Sequence, residues 1–435
     1  MQTNIKSPKS KGFLQNVIDY FQSEQVHLYA AILGIALQPI SPATGNVGFG
    51  IALGITLFRF PLLIQSWCKL FEQIWFRFLA AWLAWSFLSL FWSSDWAFGL
   101  LQFKATRVLL WIPILWPLLH RWGLFISSIL IGTTITQLIQ ALQIYCHWPL
   151  SNKFGEGSGF TTPTQTSLWD AIAVGIWLML TVLASWKLRF ATFPLTVLAA
   201  SGLVWAGSRA AAFALVVELI GSNIVLALTS KEWIKRSLIC VLVGVSILTG
   251  VYFLPHSQLS SKISRSADSF RISLTSETSI DTNIRVAMWK MAIEGWMKHP
   301  LFGVGIGGIP KTISKKLDAK ESHLELGKKT FELSETTMIH STYVQILTES
   351  GIVGFGLFAS FMAAFFVMSL RSVRTEPRFI MTFGASLCWF VAAAFDGFQN
   401  SGGFLSVGAI VWTLSIHNKI TPDMNENRIT DTRLI

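Results

Sequence analysis

"MIHSTYVQILTESGIVGFGLFASFMAAFFVM" (338–368) joins two kinds of sequence. Its first third carries His340, Ser341, Thr342, Gln345, Thr348 and Glu349, and the remainder is apolar and glycine-spaced. The run 341–369 exceeds the roughly 20 residues that cross a bilayer as a helix. Working outward, further apolar runs lie at 26–40, 47–65, 73–92, 105–119, 122–145, 168–186, 190–206, 209–229, 237–254, 378–396 and 402–417. Only 13% of the 435 residues are charged and 52% are hydrophobic, whereas soluble domains carry about 25% charged residues. Mean hydropathy is +0.53. The fold predicted is an all-α polytopic membrane protein of about twelve transmembrane helices with one large periplasmic loop that carries short amphipathic helices.

The formal charge of +11 is distributed for a bilayer and not for a nucleic acid. Lys6, Lys9 and Lys11 precede the first run, and Lys69, Arg121, Lys187, Arg189, Lys231, Lys235, Arg236, Arg371, Arg374 and Arg378 fall in alternate short loops. Basic residues concentrate in cytoplasmic loops. The pattern predicts a cytoplasmic tail over 1–25, transmembrane helices 1–9 over 26–254, a large periplasmic loop over 255–339, transmembrane helices 10–12 over 340–417, and a cytoplasmic tail over 418–435. The polar N-terminus lacks a convincing cleavage site and is predicted to stay in the mature chain. The Trp-rich stretches "WLAWSFLSLFWSSDW" and "LLWIPILW" suit interfacial belts and buried packing equally. Cys68, Cys146, Cys240 and Cys388 are scattered over different segments without a C-x-x-C, so neither disulfides nor a metal site is expected.

The loop 255–339 opens on a Ser/Thr-rich stretch predicted to be irregular. "IRVAMWKMAIEGWMKH" (284–299) then has near-helical apolar spacing, ends at His299-Pro300, and suits an amphipathic helix on the membrane face. "KTISKKLDAKESHLELGKKTFELSE" (311–335) suits a second helix. "GVGIGG" (303–308) matches G-x-G-x-x-G, but no strand precedes it and Pro310 stands where a helix should open. A tight turn back to the membrane is the expectation.

Five basic residues stand at span ends or open the amphipathic segment. "WAGSRAAAF" (205–213) leaves Arg209 between two apolar runs with no solvated loop to occupy. Charge at membrane depth costs about 2.5–3.5 kcal/mol even on lenient scales and usually faces a polar cavity. Arg285 opens the amphipathic segment. Arg59 and Arg77, near cytoplasmic ends, are explained by snorkelling. His340 is placed to accept a proton near neutral pH. If one helix ran through both, His340 and Glu349 would lie about 13.5 Å apart, so Glu349 is expected to order some other polar group.

Together, "NIRVAMWKMAIEGWMKHPLFGVGIGGIP" (283–310), "HSTYVQILTESGIVGFGLF" (340–358) and "GSRAA" (207–211) resemble the signature region of the bacterial O-antigen ligase and polysaccharide polymerase superfamily. "GSGFTTPTQTSLWDA" (157–171) resembles its G-x-F-x-x-P-N loop, with Thr164-Gln165 where Pro-Asn is usual. The resemblance covers roughly 150–360. It implies a multi-pass protein of the bacterial inner membrane whose active site faces the periplasm. The donor would be a polyprenyl-pyrophosphate-linked glycan and the acceptor a glycan or lipid A core hydroxyl, with no nucleic acid and no cofactor. His340 would carry the catalytic role, Arg209 and Arg285 would bind pyrophosphate, and Ser208 and Glu349 would support them. A His base and bidentate Arg donors suit that chemistry without a metal. A polymerase of the same superfamily and a bicarbonate-like solute transporter are the competing expectations.

The topology predicts that a cysteine at Ser276, in a chain lacking the native ones, is labelled by an impermeant thiol reagent on intact inner membrane from the periplasmic side. Labelling only after that membrane is broken would reverse the assignment.

Overall fold

A computed structural model describes residues 18–146, 157–183, 186–229, 284–311, 339–397 and 402–417, with isolated positions between 235 and 246. The described residues are 85% helical and contain no strand. In chain order the helices are α1 (Glu24–Leu37), α2 (Pro42–Phe58), α3 (Phe60–Glu72), α4 (Ile74–Leu88), α5 (Trp96–Ala105), α6 (Trp111–Leu115), α7 (Trp122–Tyr145), α8 (Pro163–Leu183), α9 (Trp186–Ala206), α10 (Arg209–Thr229), α11 (Ile284–Trp296), α12 (Thr342–Thr375), α13 (Ile380–Ala392) and α14 (Gly402–Leu414). Their starts carry polar caps that satisfy otherwise orphaned amides. Ser23, Ser41, Asp95 and Ser341 each accept from an amide of the first turn.

The expected count of about twelve spans is not confirmed among the described residues. There, five stretches are long and apolar enough to cross a membrane: Ile74–Trp92, Trp96–Tyr145, Lys187–Ala206, Arg209–Thr229 and Thr342–Thr375. A bent pair, α2 with α3, makes a sixth. Helices Glu24–Leu37, Pro377–Ala392 and Gly402–Leu414 are apolar but shorter. The predicted run 237–254 lies almost wholly outside the described residues, as does most of 255–339. Two departures have local causes. The run 47–65 is broken at Arg59 by a 100° bend, because Pro61 stands at the start of α3 and cannot continue the ladder of α2. Helix α8 carries Thr164, Gln165, Thr166, Ser167 and Asp170 in its first two turns, and Gln165, Thr166, Ser167 and Asp170 are buried inside the protein. A helix shielded from lipid tolerates such residues when neighbours satisfy them.

Arg59 does not snorkel. It is 8% exposed and donates from Nη1 to Nδ1 of buried His27 at 2.9 Å. A guanidinium only donates, so Nδ1 of His27 is the acceptor and its Nε2–H faces Thr56 Oγ1 at 2.9 Å. Thr56 in turn donates to the Ala52 carbonyl. At the same end, His120 Nε2 meets Glu24 Oε1 at 2.9 Å. Elsewhere, the Glu376 carboxylate meets Arg378 and His417.

The core is aromatic. Trp75, Trp111, Trp116, Trp169, Trp389 and Trp412 are fully buried, so packing claims Trp111 and Trp116 from the stretch that also suited an interfacial belt. Phe390 stacks on Trp412 at 5.3 Å, and Trp389 meets the same ring edge-on at 4.6 Å. Close backbone approach sets the α1–α7 contact, since a side chain at Gly132 would overlap the Ala36 carbonyl.

Gly132→Ala should therefore destabilise the protein by about 1–3 kcal/mol through overpacking, read as a lowered Tm in detergent. Gly50→Ala, where a Cβ meets nothing within 4 Å, should leave Tm unchanged or raised. Equal melting of the two variants would refute close α1–α7 packing.

Candidate functional site

His340 precedes its helix; the helix does not run through it. Ser341 caps α12 through its Oγ, and His340 itself adopts φ +50°, a left-handed conformation uncommon outside glycine. The surrounding bonds hold it there. The Thr342 amide donates to the carbonyls of Ala393 and Asp396 at 2.9 and 3.0 Å. Thr342 Oγ1 donates to the Asp396 carbonyl at 2.9 Å. On the other side, Trp289 of α11 donates from Nε1 to the Ile339 carbonyl at 2.7 Å. The His340 ring then lies with Nδ1 3.9 Å from Oδ1 of Asp396. Its side chain is 36% exposed and that of Asp396 15%.

Asp396 is the partner that sequence spacing missed. It lies 56 positions beyond His340 in the chain, and only the return of α13 to the start of α12 brings them together. Its one local signal was the Asp-Gly dipeptide at the end of an apolar run. The Gly397 amide donates to Asp396 Oδ1 at 2.9 Å and fixes the carboxylate.

Arg209 opens α10. The preceding Gly207 adopts φ +69°, which ends α9 and turns the chain sharply. Ser208 is buried; its amide donates to Ser167 Oγ at 3.3 Å, and its own Oγ accepts from the Ala211 amide. Arg209 is exposed. One turn into α10, Phe213 packs edge-on against Phe395 at 5.8 Å. Since Phe395 adjoins Asp396, the Arg209 turn and His340 share one end of the bundle. The start of α10 adds the positive partial charge of its helix dipole.

Arg285 is in the first turn of α11, one turn before Trp289; its side chain lies outside the described residues. Helix α11 docks on α12 through a small cluster of Ala292, Val304, Ile309 and Ile339 with Trp289 and Val344 packed against it. The three residues expected to do chemistry thus start three segments that converge, although no contact among them is made by described side chains.

Glu349 is 1% exposed and faces the loop 299–311 and not His340. Its Oε1 accepts from the Gly307 amide at 3.0 Å. "GVGIGG" is the expected tight turn, with φ near +70° to +83° at Gly303, Gly305 and Gly307. A Cβ at Gly303 would lie 2.5 Å from the Glu349 carbonyl, and one at Gly305 2.5 Å from Ser93 Cα. Nearby, Asp95 takes Lys311 at 3.3 Å. The Phe98 amide, with help from Lys311, holds the Asp95 carboxyl below the usual carboxylate range.

The loop 157–167 is more built than its departure from the expected Pro-Asn suggested. Gln143 of α7 donates to the Gly159 carbonyl and accepts from the Gly159 amide, and Thr166 bonds Thr161 and the Ser158 carbonyl. Among the described residues no group of three or more His, Cys, Asp or Glu gathers as a metal site.

Compared with known proteins, residues 194–359 match the family profile described as O-antigen ligase. That stretch contains Ser208, Arg209, Arg285, His340 and Glu349, and ends before Asp396. No curated protein matches the chain.

Because Glu349 Oε1 accepts the Gly307 amide, Glu349→Gln, whose amide oxygen can replace the carboxylate there, should keep both fold and activity. Glu349→Ala leaves the Gly307 amide buried without that acceptor and should cost about 1–3 kcal/mol, read by thermal melting. Loss of activity in a normally folded Gln variant would instead make the carboxylate charge a participant.

Proposed function

We propose, from the match of residues 194–359 to the O-antigen ligase profile, that the chain is an integral membrane protein of the O-antigen ligase and polysaccharide polymerase superfamily with glycosyl-transferring activity. From this premise we propose that it transfers a glycan from a polyprenyl pyrophosphate to a sugar hydroxyl, on a glycan or a lipid A core, at the periplasmic face of the inner membrane. The observation that carries the proposal is the pairing of His340 with Asp396 at the bundle end where α10 begins with Arg209 and where α11, begun by Arg285, docks beside Ile339.

The acceptor oxygen bonds to the anomeric carbon as the carbon–oxygen bond to pyrophosphate breaks. The hydroxyl proton passes to His340. With Nδ1 turned toward Asp396, the nitrogen left for the acceptor is Nε2. Asp396 orients the ring, as a carboxylate does for a histidine base elsewhere. The leaving pyrophosphate gains charge as the bond breaks. Arg209 offers a permanently charged, bidentate fork, and the amide-bearing start of α10 adds to it. Arg285 approaches from α11. The donor bond already holds the free energy of transfer, so the step needs neither nucleotide nor metal.

The test is transfer by purified protein from a lipid-linked donor with EDTA in excess. His340→Ala and His340→Gln should both fold, both bind donor, and both lose about 10²–10⁴-fold in rate. Asp396→Asn should lose less, with KM unchanged, because it orients and does not react. Near-normal turnover of His340→Gln would remove the base from the mechanism. Loss of wild-type activity in EDTA, restored by Mg²⁺, would remove the metal-free account.

A further inference from the structure

Helix α3 turns away from α2 by 100°. It lies at the end of the bundle opposite His340, because α4 leads from it to Trp85, whose indole donates to the Ser350 carbonyl in α12. Helix α2 carries an exposed apolar stripe of Val47, Ile51 and Phe58. Its 17 residues measure about 25 Å, against about 30 Å of bilayer hydrocarbon. Spanning helices tilt by only about 20° on average. A helix bent 100° from such an axis lies close to the plane of the membrane.

Three faces of α3 differ in what they meet. Leu63, Trp67 and Leu70 form the first. Leu63 and Leu70 are buried, and Trp67 donates from Nε1 to the Pro113 carbonyl of α6 at 2.9 Å. Phe60, Ile64 and Phe71 form the second and fall within about 40° of one another around the helix. They are 49%, 45% and 56% exposed. Gln65, Lys69 and Glu72, all exposed, form the third. Around the axis the apolar face stands between the face against protein and the polar face. Leu62, exposed in the first turn beside the bend, lies outside it. A helix in water would leave a contiguous apolar face uncovered. A helix within hydrocarbon would not turn Lys69 and Glu72 outward. At the end of α3, Arg77 donates from Nε to the Phe71 carbonyl at 2.6 Å and occupies a backbone group that the helix leaves open.

We infer that α3 is an in-plane helix seated in the lipid interface at the end of the bundle opposite His340. The partner of its exposed apolar face is the bilayer. Phe60, Ile64 and Phe71 enter the acyl boundary, about 5–10 Å deep, and Gln65, Lys69 and Glu72 stay in headgroup water. Helix α3 then sets the height of the bundle in the membrane. The 15 residues of α4, about 22 Å long, run from it to the start of α12, so its depth fixes how far the His340 end stands from the opposite surface. The inference does not depend on the transfer reaction, so its failure leaves the proposed function standing.

The experiment is depth measurement on the full-length protein reconstituted in phosphatidylcholine vesicles. Ile64→Cys, Phe71→Cys, Gln65→Cys and Glu72→Cys, each in a chain whose Cys68, Cys146, Cys240 and Cys388 are replaced, carry a spin label. Dissolved oxygen should relax the labels at positions 64 and 71 more than an aqueous nickel chelate does, and the chelate should dominate at positions 65 and 72. The chelate dominating at all four would place α3 in water. Oxygen dominating at all four would make it a re-entrant segment. Poor access of both probes to positions 64 and 71 would mean that a second chain covers the face. Each of these overturns the inference. A photoreactive benzoylphenylalanine in place of Ile64 or of Gln65, with the native cysteines kept, guards against misfolding of the cysteine-free chain. Lipid adducts are expected at position 64 and not at 65, and adducts at both or at neither overturn the inference as well.

Discussion

The start of α12 is kinked, and everything at the chemically interesting end depends on what repairs the kink. Gly351 adopts φ 66°, ψ −170° inside an otherwise helical run. That conformation breaks the ladder and frees backbone groups that lipid could not satisfy. The loop 299–311 takes them up. The amides of Val304 and Gly305 donate to the carbonyls of Thr348 and Glu349, and the amides of Ile352 and Val353 donate to those of Pro300 and Leu301. Trp85 supplies one more bond, from Nε1 to the Ser350 carbonyl at 2.9 Å. Non-helical backbone is tolerated at this depth because protein, not lipid, lines it. The glycines of the loop are required for this, since a Cβ at 303 would strike the backbone it bonds.

This splice fixes the position of His340. The loop brings α11 down onto the start of α12, and Trp289 of α11 then anchors Ile339. From the other side, α13 ends against Thr342. His340 is held between them in a backbone conformation that few residues other than glycine adopt. Such local cost persists where the surroundings over-determine it, and it concentrates at functional sites. The ring is left half-open toward solvent, with a carboxylate behind it.

Much of this was legible in the chain. The apolar runs announced a helical membrane protein, and "GSR", "HPLFGVG" and "HSTYVQILTESG" marked the segments that converge. Glu349 could be separated from His340 by helical rise alone. What could not be read depends on partners from distant segments. Asp396 reaches His340 only because α13 returns to the start of α12. Arg59 looked like a snorkelling residue until His27, 32 positions earlier, supplied its acceptor. Glu218, 2% exposed in the middle of α10, sits where Gly175 and Gly384 leave room for its carboxylate. Nothing in the spacing around these residues signals burial, because burial is decided by other helices. Helix α8, too, is polar where the protein surrounds it, and hydropathy measures fitness for lipid alone.

The direction of the helices ties these features to the chemistry. Helices α8, α10 and α12 all begin at the end that carries His340, as the contacts Ser208 to Ser167 and Thr342 to Ala393 require. Each start presents the positive end of its dipole. Arg209, at the first position of α10, extends that field outward on a side chain. The carboxylates there are matched against it. Glu349 accepts the Gly307 amide, and Asp396 is turned toward His340 and the Gly397 amide. The result is an end that gathers three helix starts and a guanidinium while keeping one imidazole beside a carboxylate, and the sequence achieves this by placing its helix starts, more than its charges, together.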